Sequence, residues 1–174
     1  MLNKIHHHLV ENAASILRSP VQFCPNFVQK TVLLEGLKAV FREALEDGDF
    51  EFLKDKWLKV EVKDLDLRWF ITYQDERLKV STAAVEQDVS FSGNLNDLIL
   101  IAGRKEDPDT LFFQRRLSIE GDTELGLEVK NLMDSVDLQQ LPKAMQIMLQ
   151  QLAQFVHRGL TPPEQVNQER LNAY

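Results

Sequence analysis

Five stretches of the chain alternate between apolar and polar residues, which is the pattern of β-strands that bury one face and expose the other. The apolar positions of the five stretches are Leu58, Val60 and Val62; Leu67, Trp69, Ile71 and Tyr73; Leu78 and Val80; Val89 and Phe91; and Leu117 and Ile119. A polar turn at residues 74–76 separates the second stretch from the third. The spacing therefore predicts a five-stranded, mainly antiparallel sheet with one face in contact with water.

The segments around these strands follow the helical period instead. Helices are predicted over residues 2–17, 27–45, 95–102, 110–113, 124–136 and 142–155. Most of them carry one apolar stripe, whereas the segment 95–102 is apolar nearly all round and is expected to be buried. Because the apolar face of the sheet also needs cover, the pattern predicts an α+β fold in which helices cover the sheet.

Helix-breaking residues divide the chain into three parts. Ser19-Pro20 and Cys24-Pro25 interrupt the first helical pattern and predict a linker, and Gly159, Pro162 and Pro163 are expected to end regular structure. The predicted parts are an amphipathic helix and linker (1–24), a main domain (25–159) and a mobile polar tail (160–174).

Composition and charge exclude several classes of protein. The 174 residues include 20 Lys or Arg against 27 Asp or Glu, a net charge of −7, so no overall positive field would attract a nucleic acid. The single cysteine, Cys24, allows no intrachain disulfide, and no apolar run approaches the roughly 18 residues that span a bilayer. The N-terminus also lacks the continuous apolar core of a signal peptide. Together these features favour a cytoplasmic protein.

Candidate catalytic chemistry is sparse. The chain has four histidines, which are His6, His7, His8 and His157. Its central part therefore has no imidazole for a general base, a triad or a metal site, and with one cysteine the sequence predicts no metal centre and no cofactor. The remaining acid–base candidates are four carboxylates in predicted turns: Asp64, Asp66, Asp75 and Glu76. Exposure to water is expected there, so the chain is predicted not to be an enzyme.

The segment Asp107–Asp134, with the sequence DPDTLFFQRRLSIEGDTELGLEVKNLMD, is the most distinctive part of the chain. It resembles the signature of bacterial sterol carrier protein type 2 domains, and the preceding strand Val89–Gly93 and helix 94–104 fit the same family. Within that family, the chain is more similar to accessory factors of bacterial ubiquinone biosynthesis, which share its additional N-terminal helix. The resemblance runs from about Phe27 to Phe155.

The resemblance implies a sterol-carrier-type fold in which helices and a five-stranded sheet enclose an apolar tunnel. Members of the family bind lipids and have no catalysis of their own in this form. The resemblance further implies an accessory factor that presents an isoprenoid quinone precursor or a phospholipid to the hydroxylases of oxygen-independent ubiquinone biosynthesis. Peripheral contact with the inner membrane and a homodimer are both compatible with that role. Two alternatives stay open, an assembly factor with a filled core and a lipid-modifying enzyme that uses carboxylates.

The predicted lipid site rests on the apolar pattern, because the resemblance implies no fixed ligand residues. The residues expected to line it are Phe41, Trp69, Ile71, Phe91, Leu98, Ile99, Phe112, Phe113, Leu132, Met133, Met145 and Leu149. The cations expected to contact a lipid headgroup or a membrane are Arg104, Lys105, Arg115 and Arg116. The alternative for these cations is a solvated rim of ion pairs with Glu106, Asp107 and Asp109. The apolar stripe of the first helix has three alternative partners: its own domain, a second copy of the chain or a membrane surface.

Overall fold

The computed structural model describes residues 2–83 and 86–161. Its helices are α1 (Leu2–Glu11), α2 (Ala13–Gln22), α3 (Asn26–Val40), α4 (Arg42–Asp47), α5 (Leu95–Ala102), α6 (Pro108–Phe113), α7 (Thr123–Ser135) and α8 (Lys143–Leu160). Its strands are β1 (Leu58–Val62), β2 (Leu67–Gln74), β3 (Arg77–Ser81), β4 (Val89–Gly93) and β5 (Leu117–Gly121). Short 3₁₀ turns occupy residues 51–53, 63–65 and 138–140. The predicted polar tail lies outside the described residues from position 162 onward.

The five strands form one sheet in the order β3-β2-β1-β4-β5. All neighbouring strands are antiparallel except β1 and β4, which run parallel. Leu58 of β1 stands opposite Ile71 of β2 and Val89 of β4, so the apolar positions of neighbouring strands share one face. The predicted α+β class and the mainly antiparallel, five-stranded sheet are confirmed.

Helices cover the apolar face of the sheet. The buried residues of this main core are Ala44, Phe50, Leu53, Leu58, Ile71, Leu78, Val89, Phe91, Ile101, Leu111, Leu117, Leu125, Val129 and Leu132. They come from all five strands and from α4 to α7, and α3 adds the partly buried Leu34 and Leu37. Gly48 ends α4 in the left-handed conformation that glycine adopts without strain, at a φ of 82°. The chain then enters the sheet through the 3₁₀ turn 51–53.

The opposite face of the sheet is polar, but it is less wet than the alternation predicted. Lys59 and Glu61 of β1 pair across this face at 3.0 Å. Four of its residues are nevertheless buried, Phe70 and Thr72 of β2 and Ser90 and Ser92 of β4. The Thr72 hydroxyl donates to the Leu53 carbonyl at 3.3 Å, which satisfies the buried oxygen.

The N-terminal segment differs from its prediction. The expected single helix is two helices, α1 and α2, separated at Asn12. The expected break at Ser19-Pro20 does not occur, because α2 continues through Pro20 to Gln22. Pro20 lies in the last turn of α2 and has no N–H to donate to the Ile16 carbonyl four positions earlier, so the helix continues there without one intrahelical hydrogen bond. Phe27, expected in the buried stripe of the next helix, is 70% exposed.

The two ends of the chain pack against each other. Val10 of α1 lies against Gly159 of α8 so closely that a Cβ atom on Gly159 would overlap the valine side chain. The His6 Nε2–H donates to the Phe155 carbonyl at 2.9 Å, and the His7 Nδ1–H donates to the Gly159 carbonyl at 2.6 Å. Gly159 therefore serves helix packing, and α8 ends one residue later, at Leu160, ahead of Pro162 and Pro163 in the sequence.

Candidate functional site

An open groove of about 310 Å³ lies between α6, β5 and α7. Its apolar lining consists of Phe91, Pro108, Phe112, Phe113, Leu117, Ile119, Leu127 and Met133. Its charged lining consists of Asp109, Glu120, Asp122 and Lys130. The groove thus combines apolar walls with charged groups, an arrangement suited to a ligand with an apolar part and a polar end.

The helix α6 presents two aromatic rings to this groove. Asp107 caps the helix by accepting a hydrogen bond from the Thr110 N–H at 3.1 Å, and proline occupies the first helical position. Leu111 is fully buried in the main core and anchors the short helix. Phe112 and Phe113 consequently point outward, with their ring centroids 5.9 Å apart in an edge-to-face arrangement.

The start of α7 forms the opposite side of the groove. The Asp122 carboxylate accepts hydrogen bonds from the Glu124 and Leu125 N–H groups, so the first turn of the helix is capped by the chain itself. Gly126 lets the helix approach β5, because a Cβ atom there would lie only 3.0 Å from the Ile119 Cγ2. The close approach brings Leu127 and the groove wall next to the sheet.

Lys130 connects the two helices that flank the groove. Its Nζ lies 3.0 Å from Asp109 Oδ2 of α6 and 3.9 Å from Asp134 Oδ2 of α7. The hydrogen bond to Asp109 raises the pKa of Lys130 above its ordinary value of 10.5. The ammonium group therefore stays charged at neutral pH, where it can face an anionic or carbonyl oxygen of a ligand.

The structure brings four of the twelve predicted lining residues together in this groove: Phe91, Phe112, Phe113 and Met133. Three others, Phe41, Ile71 and Leu132, belong to or pack against the main core. Trp69 and Leu98 pack in a second cluster with residues of α2, and Ile99 packs with α1 and α8. Met145 and Leu149 lie half-buried on α8, which contacts α1 and α5.

Two of the four predicted headgroup cations are engaged within the protein. The Arg104 guanidinium donates to the carbonyls of Met133, Asp134 and Val136 at 3.1, 3.0 and 2.6 Å, where α7 ends. Arg116 pairs with the buried carboxylate of Asp97.

The other two predicted cations, Lys105 and Arg115, are exposed and make no ion pair with the described residues. The predicted rim of ion pairs with Glu106, Asp107 and Asp109 does not form around these cations, because Asp109 pairs with Lys130 instead. The four predicted cations therefore do not form one headgroup site, because Arg104 and Arg116 bind within the protein whereas Lys105 and Arg115 face water.

Two larger cavities are less suited to an apolar ligand. One, of about 720 Å³, lies between α4 and the start of α8, and its lining includes Phe41 together with Glu43, Asp47, Asp49 and Asp137. The other, of about 430 Å³, is lined by Asp49, Phe52, Glu128, Asn131, Leu132 and Ser135. Polar atoms form a larger share of the lining of either cavity than of the groove, so an apolar group there would take water from more polar groups without replacing it, which is unfavourable.

Three of the four carboxylates considered as acid–base groups have local structural partners. Asp64 accepts a hydrogen bond from the Leu95 N–H at 2.9 Å and so caps α5. Asp66 pairs with Arg68 at 2.7 Å, and the hydrogen bond from Lys79 lowers the pKa of Asp75. None of the three cavities described above has these groups in its lining.

Residues 2–83 and 86–161, the described part of the chain, contain neither a metal-binding cluster nor a membrane-spanning helix. No cluster of three or more His, Cys, Asp or Glu side chains there has an arrangement that could hold a metal ion. No helix in the same residues has both the length and the apolar character needed to cross a membrane.

Several groove residues were missed by the sequence reasoning. Leu127 lies on the opposite side of α7 from the buried Leu125, Val129 and Leu132. An apolar residue outside the stripe of an amphipathic helix is a signal that could have identified it. Lys130 had no comparable signal, because its partner Asp109 lies on another helix and the pairing depends on how α6 and α7 pack.

The chain is similar over most of its length to known proteins. Residues 34–134 match the SCP-2 sterol transfer family. The chain is 52% identical over 165 residues to the "Ubiquinone biosynthesis accessory factor UbiT" of Escherichia coli K12, covering 94% of each chain, and the same figures hold for the protein of that name from E. coli O157:H7. Among solved structures, "UbiJ-SCP2 Ubiquinone synthesis protein" superposes with a TM-score of 0.51 at 18% identity, covering 62% of this chain and 94% of the other. At that identity, the superposition supports the fold alone.

Proposed function

Because this chain belongs to the SCP-2 sterol transfer family, we propose that it is a noncatalytic, lipid-binding accessory factor of ubiquinone biosynthesis. In this role it binds an isoprenoid quinone precursor or a phospholipid and presents it to the pathway's hydroxylases in the oxygen-independent route. The protein works in the cytoplasm and takes its lipid from the inner membrane. The similarity to UbiT over nearly the whole chain supports the pathway, and the groove supports the lipid.

The groove between α6, β5 and α7 is the observation that carries the proposal. Phe113 is 81% exposed there, although hiding a phenylalanine side chain from water is favourable by roughly 1.5–3 kcal/mol. An apolar ligand lying against Phe112 and Phe113 would recover that free energy. Lys130 lies in the same lining and offers a charged group to the polar end of the ligand.

The size of the groove limits how it is used. A volume of about 310 Å³ is at the lower end of the roughly 300–1,000 Å³ typical of small-molecule pockets. It accommodates a ring or the first part of a tail, so a long polyprenyl chain must continue beyond it. The predicted apolar tunnel is the natural continuation, and its opening requires the helices over the sheet to separate.

Copurified lipid tests the proposal. The full-length protein, purified from cells and extracted with organic solvent, should yield an isoprenoid quinone, a precursor of it or a phospholipid by mass spectrometry. Phe113→Ser should lower the bound lipid by about tenfold or more, because it removes apolar contact worth roughly 2 kcal/mol. Phe23→Ser is the matched control, since Phe23 is 88% exposed and lies outside the groove lining.

Three results would contradict the proposal or its site. A lipid-free extract from folded protein would favour an assembly factor with a filled core. Turnover of lipid esters by the purified protein, lost in Asp64→Ala, Asp66→Ala, Asp75→Ala or Glu76→Ala, would favour the enzyme alternative. Equal lipid in Phe113→Ser and Phe23→Ser would place the ligand elsewhere.

A further inference from the structure

Exposed apolar side chains concentrate outside the family domain. Fourteen large apolar residues are exposed among the described residues, and three of them, Phe112, Phe113 and Leu127, line the groove. The other eleven all lie outside residues 34–134: Ile5, Leu9, Ile16, Leu17, Phe23, Phe27, Val32, Ile147, Met148, Leu152 and Phe155. Exposed apolar residues so concentrated at the two ends of a chain indicate an interaction surface.

The contacts between α1 and α8 place part of this set side by side. The His6 ring lies 4.3 Å from the Phe155 ring, measured between centroids. On α1, the exposed Ile5 and Leu9 flank His6 at helical spacing, and on α8 the exposed residues continue from Phe155 by one and two turns. The resulting surface, here called the terminal-helix face, consists of Ile5, Leu9, Met148, Leu152 and Phe155.

The segments that carry this face differ in charge from the rest of the chain. Residues 2–33 and 138–161 contain five Lys or Arg and a single acid, Glu11, which pairs with His7 at 3.2 Å. The remaining residues contain fifteen Lys or Arg against twenty-six Asp or Glu. On α8, Lys143 and Arg158 are exposed and no acidic residue occurs along the helix. An excess of cations beside exposed apolar residues, within a chain of net charge −7, is complementary to an anionic lipid surface.

A second copy of the chain fits this face less well than a bilayer does. A twofold dimer would place the same surface on both sides of the interface. Where α8 of one copy packs against α8 of the other, neither helix offers an acidic residue to pair with Lys143 or Arg158 of its partner. Like charges facing each other oppose association.

We propose that the terminal-helix face docks the protein on an anionic lipid bilayer. Met148, Leu152 and Phe155 enter the interfacial region beside Ile5 and Leu9, while the nearby cations contact anionic headgroups. Docking deepens the proposed function and rests on it for its purpose, since a lipid carrier must meet the membrane that holds its ligand. The surface lies outside residues 34–134, so the lipid groove and the docking face are separate and can be tested separately.

Vesicle flotation with the full-length protein tests the apolar part of the face. We expect binding to vesicles in which about a third of the phosphatidylcholine is replaced by phosphatidylglycerol, and weaker binding to phosphatidylcholine alone. The double variant Met148→Gln/Leu152→Gln should lower binding by about tenfold or more. The matched control is Phe27→Gln/Val32→Gln, a pair that lies outside the face. Met148 and Leu152 are 58% and 42% exposed, and Phe27 and Val32 are 70% and 67% exposed, so both variants replace exposed apolar residues.

A second pair of variants tests the charges. Lys143→Gln/Arg158→Gln should reduce binding to the anionic vesicles about fivefold for each charge removed. Lys38→Gln/Arg42→Gln removes two exposed cations from α3 and α4 and should change binding little. Added salt should weaken binding of the parent protein and should matter less in the charge variant.

The outcomes separate docking from lipid binding. The proposal is supported if variants of the face lose vesicle binding while they keep the unfolding midpoint and the copurified lipid of the parent protein. No binding of the parent protein to anionic vesicles, or equal binding by the face variant and its control, would overturn it. A dimer in light scattering that the face variant dissociates would also overturn it, because a second copy would then occupy the face. Loss of copurified lipid alone would count against the proposed function and leave the docking result standing.

Discussion

The contact between Gly103 and Ala153 allows a stringent test of how α8 is attached to the domain. Gly103 follows the last residue of α5, and Ala153 is fully buried in the middle of α8. A Cβ atom built on Gly103 would overlap the Ala153 Cβ, and it would lie 3.4 Å from the carbonyl oxygens of Ile99 and Leu149. The two helices therefore meet at a point that has room for one methyl group and not for two.

Gly103→Ala should destabilise the protein even though alanine is the better residue for the backbone. Two methyl carbons need about 3.5–4.0 Å between them, so the helices must separate, and overpacking of this kind costs about 1–3 kcal/mol. The φ of −89° at Gly103 suits alanine, which returns about 0.4–1 kcal/mol by restricting the unfolded chain. The net loss of unfolding free energy should be about 1–2 kcal/mol, or about 2–8 °C in Tm.

The compensating substitution provides the control. Ala153→Gly alone should cost about 1–2 kcal/mol, because it adds a glycine to a helix interior and removes a buried methyl group. It also creates the space that Gly103→Ala requires, so the double variant should be more stable than the sum of the single effects by at least about 1 kcal/mol. Urea unfolding followed by circular dichroism measures all four proteins as a double-mutant cycle. Additivity within about 0.5 kcal/mol would refute the contact and, with it, the placement of α8 on α5.

Two further predictions concern charged residues. Arg116→Met should lower the unfolding free energy measured in urea by about 2–3 kcal/mol, because it leaves the Asp97 carboxylate, which is 5% exposed, without its cation. The control Arg68→Met removes a cation from an ion pair on the surface and should cost less than about 1 kcal/mol. Equal losses in the two variants would contradict the structural role of Arg116. The Trp57 N–H donates to the Asp88 carboxylate and holds the pKa of Asp88 below its ordinary value of 3.8. The ionised Asp88 carboxylate therefore stabilises the fold above pH 3.8, and this stabilisation is lost as the pH falls through the lowered pKa. Below pH 3.8, the unfolding midpoint of Asp88→Asn should therefore fall less steeply with decreasing pH than the midpoint of the parent protein. Equal slopes for the two proteins would contradict this.

The strands were predictable because their signal is local. Alternation with a period of two depends on successive residues of one segment, and the faces it assigned to the five strands match the register between Leu58, Ile71 and Val89. The cap at Asp122 and the end of α4 at Gly48 were predictable for the same reason, since each involves residues within a few positions.

The candidate site was only partly predictable, because an apolar residue in a stripe can face a core or a cavity. Ile71 and Phe91 are both buried in the core on the same face of the sheet, yet only Phe91 also contributes to the lining of the groove. The cations show the same limit. Arg104 looked available for a ligand in the sequence, but its guanidinium caps the end of α7, about thirty positions along the chain.

The order of amino acids was enough to predict the class of the fold, the identity of the strands and the lack of imidazole chemistry in the central part of the chain, since these depend on composition and on short-range periodicity. Packing settled what lies on each side of a helix. Val10 against Gly159 and Gly103 against Ala153 bring together segments that are 149 and 50 positions apart, and these contacts leave Met148 and Leu152 exposed on α8. A helical stripe shows that some surface must be covered, but how much of it stays open depends on the shape and spacing of the elements that pack against it.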